Sequence, residues 1–244
     1  PKTAKGFSPL HYPMPNSPLL EVVVSSAKSA IAAAEGGAQR LELCVNLAEG
    51  GISPSTLLVK GVREAVEISI RVMVRPRPGN FCYTEEEMET MRAEIQQAKV
   101  LGANGVVLGI LHPDKSIDVE RTKELVSLAY PLSVTFHRAF DETPDPFLAL
   151  EDVIKTGADV LLTSGRESSA VKGIELIREL VERAEKRIRI LAGAGVNESN
   201  ARMLLRETGV QELHVATGVQ KGGETDSTLV NRLFHSINNE PGID

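Results

Sequence analysis

Short runs of β-branched and aliphatic residues alternate along this chain with longer segments in which apolar residues recur every three or four positions. The short runs predict strands at residues 19–24, 39–45, 70–76, 105–111, 132–137, 159–165, 188–192 and 212–217. The longer segments predict helices, for example at 85–100 and at 171–186, where Ile174, Ile177 and Leu180 lie on one face. Alternating strands and helices are typical of an α/β protein with a parallel sheet.

The helix ends carry a second regularity. A glycine stands before each even-numbered strand, where a left-handed cap lets the chain reverse: Gly37, Gly102, Gly157 and Gly209. The repeating unit is therefore two strands and two helices, present four times, which favours a closed barrel over an open sheet. No Gly-x-Gly-x-x-Gly motif opens a helix. We predict a single (β/α)8 TIM barrel of eight parallel strands over residues 19–244, after an irregular, proline-rich arm over 1–18.

Composition narrows the classes of partner. A formal charge of −6, an aromatic content of 4% and the lack of a Lys/Arg run argue against nucleic acid and anionic membrane surfaces. No segment approaches the ~18 apolar residues of a membrane span, and no secretory signal is visible, although the chain opens at Pro1. Two cysteines, Cys44 and Cys82, do not make a disulfide scaffold. We expect a cytoplasmic protein with reduced thiols; if it forms a homo-oligomer, an isologous dimer is the commonest arrangement.

Functional residues of such barrels lie at the carboxyl ends of the strands. Side chains that carry chemistry and fall at or near these ends are Glu21, Glu42, Cys44, Met73, Arg75, Arg77, His137, Arg138, Asp141 and Ser164, with the glycine turn Gly193 to Gly195 after the seventh strand. Glu42 and Cys44 are two residues apart and therefore share a face of their strand. His214 lies further back in its strand and is expected to be a core residue. No lysine stands at a strand end to form a Schiff base, and no Glu/Asp/His cluster has metal-ligand spacing.

Buried glutamates need cationic partners, and Arg75, Arg77 and Arg138 are the expected partners of Glu21 and Glu42. Two interpretations stay open: an ion-pair ring that only fixes the barrel, or a site for an anionic or polar substrate. His137 is a candidate general acid or base, with the carboxylate of Asp141 setting its tautomer. Ser164 and the amides of Gly193 and Gly195 would help to bind an anion such as phosphate.

Several motifs, taken in order, resemble the CutC family: Leu20-Glu21-Val22, Arg40-Leu41-Glu42-Leu43-Cys44, Glu49-Gly50-Gly51, Val74-Arg75-Pro76-Arg77, Thr135-Phe136-His137-Arg138-Ala139-Phe140-Asp141, Leu162-Thr163-Ser164-Gly165 and Ala192-Gly193-Ala194-Gly195. The resemblance implies a cytoplasmic (β/α)8 barrel with a role in copper homeostasis, and copper(I) binding has been proposed for some members. It also implies that Cys44 is a copper ligand, since copper(I) favours sulfur. Members often carry Glu-x-Cys on the first strand too, where this chain has Val23.

Three functions are therefore weighed. The first is copper(I) handling through Cys44, with His137 or Cys82 as a further ligand. The second is an enzyme acting by acid–base chemistry on a small anionic substrate, for example a phosphorylated one. In that enzyme Glu21, Glu42, His137 and Asp141 would be catalytic, and substrate would contact Arg75, Arg77, Arg138, Ser164, Gly193 and Gly195. The third is a non-catalytic barrel that binds a ligand or protein partner.

Overall fold

The computed structural model describes residues 17–238, so nearly all of the predicted arm lies outside the described residues. Eight parallel strands close into a barrel in chain order, and the last strand pairs with the first. They are β1 (Leu19–Val24), β2 (Arg40–Leu43), β3 (Ser69–Met73), β4 (Gly105–Leu108), β5 (Ser133–Phe136), β6 (Val160–Thr163), β7 (Arg189–Ala192) and β8 (Glu212–Val215). The prediction of a TIM barrel is confirmed.

Helices follow the barrel strands and cover the outside of the barrel. They are α1 (Ala27–Glu35), α2 (Thr56–Ala65), α3 (Glu85–Val100), α4 (Val119–Ala129), α5 (Pro146–Thr156), α6 (Ile174–Ala184), α7 (Ala201–Thr208) and α8 (Ser227–Asn238). A short antiparallel ribbon, β9 (Gln220–Lys221) and β10 (Glu224–Thr225), precedes α8. The segment predicted at 171–186 is shorter because Gly173 caps α6 at its start and Glu185 ends it with a left-handed φ of 48°.

Local chemistry sets these boundaries. A capping box between Thr84 and Glu87 opens α3, whose predicted bounds are confirmed. The four predicted glycines at helix ends all adopt positive φ, between 76° and 100°. Several strands end earlier than predicted because the chain leaves the barrel ladder: Val45 instead pairs with Ile52, and Leu111 with Ile117.

The barrel has two different sides. Outside, the apolar faces of strands and helices form the main core, which includes Leu41, Ile70 and Phe136. Inside, alternate residues face the barrel axis and include buried charges such as Glu21, Arg40, Arg71 and Glu212. In the part of the chain that the structure describes, no helix has the length and apolar character to cross a bilayer.

Candidate functional site

A buried thiol lies at the carboxyl end of β2. Cys44 is 1% exposed and packs with Val23, Met73 and Val107 in a small apolar cluster inside the barrel. Gly51, with a φ of 82°, lies against it. A Cβ on Gly51 would come within 3.0 Å of Cys44 Sγ and 3.5 Å of Met73 Cε. The side chains of both sulfur-containing residues therefore pack against Gly51 in the same buried cluster.

This position suppresses ionisation of the thiol. Burial raises the pKa of Cys44 well above its usual range, and the negative charges of Glu42 and Glu21 raise it further. The thiol is therefore protonated at neutral pH and is a poor nucleophile on its own.

The structure does not gather the predicted partners of Cys44 into one ligand set. Among the described residues, no group of three or more His, Cys, Asp or Glu ligands includes Cys44, Cys82 or His137. Cys82 is half-buried in the loop after β3, where its carbonyl oxygen accepts a hydrogen bond from Arg77. The second soft side chain beside Cys44 is that of Met73.

His137 ends β5 and is held as a neutral ring. Its Nδ1 accepts a hydrogen bond from the amide of Ala139 at 3.2 Å, which leaves the ring proton on Nε2, an atom without a partner. Burial, reinforced by the positive charge of Arg75, lowers the pKa of His137 to about 3. The prediction that Asp141 sets the tautomer is wrong, because a backbone amide does so.

A hydrogen-bonded cluster joins the ends of β5 and β6 and is formed by Arg138, Asp141 and Ser164. The carboxylate of Asp141 accepts hydrogen bonds from Thr163 Oγ1 at 2.5 Å and from the Ser164 amide and hydroxyl at 3.1 and 2.9 Å. Arg138 donates to Asp141 and to Ser164 Oγ, each at 2.8 Å. These contacts fix the positions of the three side chains relative to one another.

Arg75 and Arg77 do not meet Glu21 or Glu42, so that prediction is wrong. Arg75 is buried, and its guanidinium donates to the carbonyl oxygens of Glu49, Gly51 and Gly79 at 2.8–2.9 Å. Arg77 pairs with Glu87, with Nε 2.5 Å from Oε1. Arg75 thus binds the Glu-Gly-Gly loop to the Arg-Pro-Arg strand end, which links two of the motifs physically. Protein acceptors bind most donors of these two guanidinium groups, while the buried Nε of Arg75 has no hydrogen-bond partner among the described residues.

The cation beside Glu21 is Arg40, from the start of β2. Arg40 Nε donates to Glu21 Oε2, and its Nη2 lies 2.6 Å from Glu212 Oε2; Arg189 contacts the other oxygen of Glu212 at 2.8 Å. Burial alone would raise the pKa of Glu21, but Arg40 and then His214 outweigh it and hold that pKa well below its usual range. The partner was missed because Arg40 stands at the opposite end of its strand from the barrel mouth.

His214 is buried, as expected, but it is not surrounded by apolar residues alone. Its Nδ1 lies 2.8 Å from Glu21 Oε1, and its Nε2 lies 3.9 Å from Glu42 Oε1. One ligand atom from each of these residues lies within 4.8 Å of the others, so the expectation of no Glu/Asp/His cluster is wrong. Burial, aided by the charge of Glu21, raises the pKa of Glu42 to about 7 against the opposing effects of His214 and Arg40. The signal in the sequence was the alternation Glu212–His214, which puts both side chains on the inner face of β8.

The glycine turn after β7 has structural contacts of its own. The Gly193 amide donates to the carbonyl oxygen of Thr163 at 3.0 Å. The Gly195 carbonyl accepts from the side chains of Asn197 and Asn200 at 3.1 and 2.9 Å. A Cβ on Gly193 would come within 3.2 Å of His214 Cδ2, so this glycine leaves room for the imidazole ring.

Fold and site together define a (β/α)8 barrel protein with a buried thiol at the end of β2 and a charged interior beneath it. The chain belongs to the CutC family, whose model matches residues 18–219. It is 45% identical over 199 residues to the copper homeostasis protein cutC homolog of Mus musculus and, separately, to that of Homo sapiens; each match covers 82% of this chain and 73% of the relative. It is 48% identical over 197 residues to a CutC family protein of Bacteroides fragilis, covering 80% and 78%.

One solved structure belongs to the same family, and others share the fold. The CutC protein of Streptococcus agalactiae superimposes with a TM-score of 0.79 at 33% identity, covering 83% of this chain and 100% of that one. A thiamine phosphate pyrophosphorylase of Pyrococcus furiosus, at 20% identity and a TM-score of 0.61, shares the fold.

Proposed function

We propose that this chain serves copper homeostasis by binding copper(I) as cargo at the end of β2, through the thiolate of Cys44 and the thioether of Met73. The observation that carries the proposal is that both side chains belong to one buried cluster and that both lie within 3.5 Å of the position of a Cβ on Gly51. Copper(I) is a soft ion that selects thiolate and thioether ligands. Family membership and the names of the mammalian relatives point to the same metal.

The burial of Cys44 favours a metal thiolate over a free thiolate. A lone buried anion is costly, and this cost raises the pKa of the thiol. A copper(I) thiolate carries no net charge, so the same burial penalises it far less. Binding replaces the thiol proton, and we expect about one proton to be released per copper ion at neutral pH.

Val23 stands where CutC family members often carry a second cysteine, so the proposed site has one thiolate rather than two. Val23 belongs to the same apolar cluster as Cys44 and Met73. A cysteine at position 23 would therefore place a second thiol beside the first. We expect the natural site to bind copper(I) less tightly than the Val23→Cys variant.

The test is an anaerobic titration of the reduced protein with copper(I) against a chromogenic chelator. The wild type and Cys82→Ser, which removes the other cysteine, should each retain one copper ion, while Cys44→Ser should lose it. Met73→Leu keeps the volume but removes the sulfur, and should weaken binding by about tenfold, as the loss of a weak ligand would. Retention of copper by Cys44→Ser, or its loss in Cys82→Ser, would refute the assignment.

A further inference from the structure

A second set of ligands lies deeper in the barrel than Cys44. Glu21, Glu42 and His214 come from the adjacent strands β1, β2 and β8, and ligand atoms of all three lie within 4.8 Å of one another. Each of these residues is at most 9% exposed. Among the residues that the structure describes, no other group of three such side chains is this compact.

The imidazole of His214 is oriented by an outer carboxylate. Its Nδ1 lies 2.8 Å from Glu21 Oε1, and Arg40 holds the other oxygen of Glu21 in place. The opposite ring nitrogen, Nε2, faces Glu42 Oε1 at 3.9 Å, which is too long for a hydrogen bond. Metal-binding histidines show the same arrangement, in which one nitrogen meets the ion and the other donates to a carboxylate.

In the described part of the chain, one oxygen of the Glu42 carboxylate lacks the hydrogen-bond partner that a buried carboxylate needs. Its Oε2 is fully buried and has no hydrogen-bond partner, and the residue is 4% exposed. The neighbouring cations are already engaged, since Arg40 contacts Glu21 and Glu212. Arg71 instead donates to the hydroxyl groups of Thr135 and Ser133. An unpartnered buried oxygen calls for an explanation such as an ion.

We propose that His214 Nε2 and the carboxylate of Glu42 bind a divalent cation, with Glu21 as the residue that positions the imidazole. One imidazole nitrogen and one carboxylate are ligands for a borderline ion such as Zn²⁺. Water would complete the coordination. This site is distinct from the sulfur site at Cys44 and goes beyond copper(I) binding.

The first experiment measures Zn²⁺ affinity by chelator competition in the Cys44→Ser/Cys82→Ser protein, which has no thiol. This protein should bind one Zn²⁺, and adding His214→Gln or Glu42→Gln should lower the affinity at least tenfold. His112→Gln, at a half-exposed histidine, is the matched control and should leave the affinity unchanged. Equal affinity in the His214→Gln and His112→Gln proteins would overturn the proposal.

A second measurement starts from the wild-type protein, so its first result does not depend on the folding of any variant. Co²⁺ added to the wild-type protein should give weak visible absorption without an intense sulfur-to-cobalt charge-transfer band. Appearance of that band would instead assign the ion to Cys44.

In the thiol-free protein, Glu21→Leu should weaken Co²⁺ binding 10–100-fold. Glu21→Gln keeps a hydrogen-bond acceptor for the Nδ1–H of His214 and should restore most of that affinity. If Glu21 had a purely structural role, the Gln and Leu variants would give the same cobalt spectrum. Loss of copper(I) binding at Cys44 would leave all these results unchanged, so the two proposals fail separately.

Discussion

Gly51 lies directly against Cys44, with the position of a Cβ on Gly51 only 3.0 Å from the sulfur. The backbone of Gly51 also adopts a left-handed φ of 82°, which glycine accepts without strain. The loop after β2 can therefore pass close over the thiol without a side chain covering it.

Gly51→Ala should destabilise the protein by about 1–2 kcal/mol because of its φ, and should lower copper(I) affinity because the methyl group meets Sγ. Gly79→Ala is the matched control: its φ is 89°, but a Cβ there would find its nearest neighbour at 3.9 Å. Denaturant unfolding and copper(I) titration of both variants check this expectation. Gly51→Ala should lose at least as much stability as Gly79→Ala, and only Gly51→Ala should lose copper affinity. Equal copper affinities would show that Gly51 does not border the site.

Arg75→Lys should destabilise the protein by about 2 kcal/mol, because a single ammonium nitrogen cannot replace the two nitrogens that reach three separate carbonyl oxygens in this buried site. Arg77→Lys provides the comparison from the same strand end, since its side chain is 32% exposed, and should cost less than about 1 kcal/mol. Urea unfolding of the two variants gives the difference directly. If both lysine variants lost the same stability, the hydrogen bonds from Arg75 to the loop carbonyls would not be a specific source of stability.

Glu21→Gln should cost about 3 kcal/mol, because it leaves the buried guanidinium of Arg40 with only Glu212 as a charged partner. Glu175→Gln removes a surface pair in which the carboxylate is 77% exposed, and should change the free energy of unfolding by less than about 0.5 kcal/mol. Guanidinium unfolding at pH 7 measures both values. A small effect at Glu21 would mean that Glu212 alone neutralises Arg40.

His137 should make the protein less stable in mild acid. Its pKa is about 3 in the folded chain against about 6.5 unfolded. Below pH 6.5 His137 therefore binds a proton in the unfolded chain but not in the native protein. The free energy of unfolding falls as the pH falls toward 3. Between pH 7 and pH 5 the wild type should lose about 2 kcal/mol more than His137→Gln. Parallel pH profiles for the two proteins would argue against a neutral buried ring.

The barrel itself was predictable because its signals are local. Short runs of β-branched and aliphatic residues predicted all eight strands, and the four glycines at helix ends predicted the fourfold repeat, since each signal needs only neighbouring residues. The spacing of Glu42 and Cys44 likewise placed both on one face of β2.

The contacts across the interior were not predictable in the same way. Arg40 and Glu212 are 172 positions apart, and His214 and Glu21 are 193 apart. Only the register of β1 against β2 and β8 makes Arg40 and His214 neighbours of Glu21. The arginines at strand ends looked like the natural partners of the glutamates, but backbone carbonyls, which any sequence supplies, hold Arg75 instead.

The link from Arg40 to Glu212 also bears on the order of assembly. Arg40 enters the interior with β2, early in the chain, whereas Glu212 arrives with β8, the strand that closes the ring against β1. A half-built barrel would hold this guanidinium against Glu21 alone, with an open edge on both sides. The same strand therefore supplies the second carboxylate for Arg40 and pairs the last free strand edge. Partly assembled barrels lack both interactions and should be poorly populated during folding.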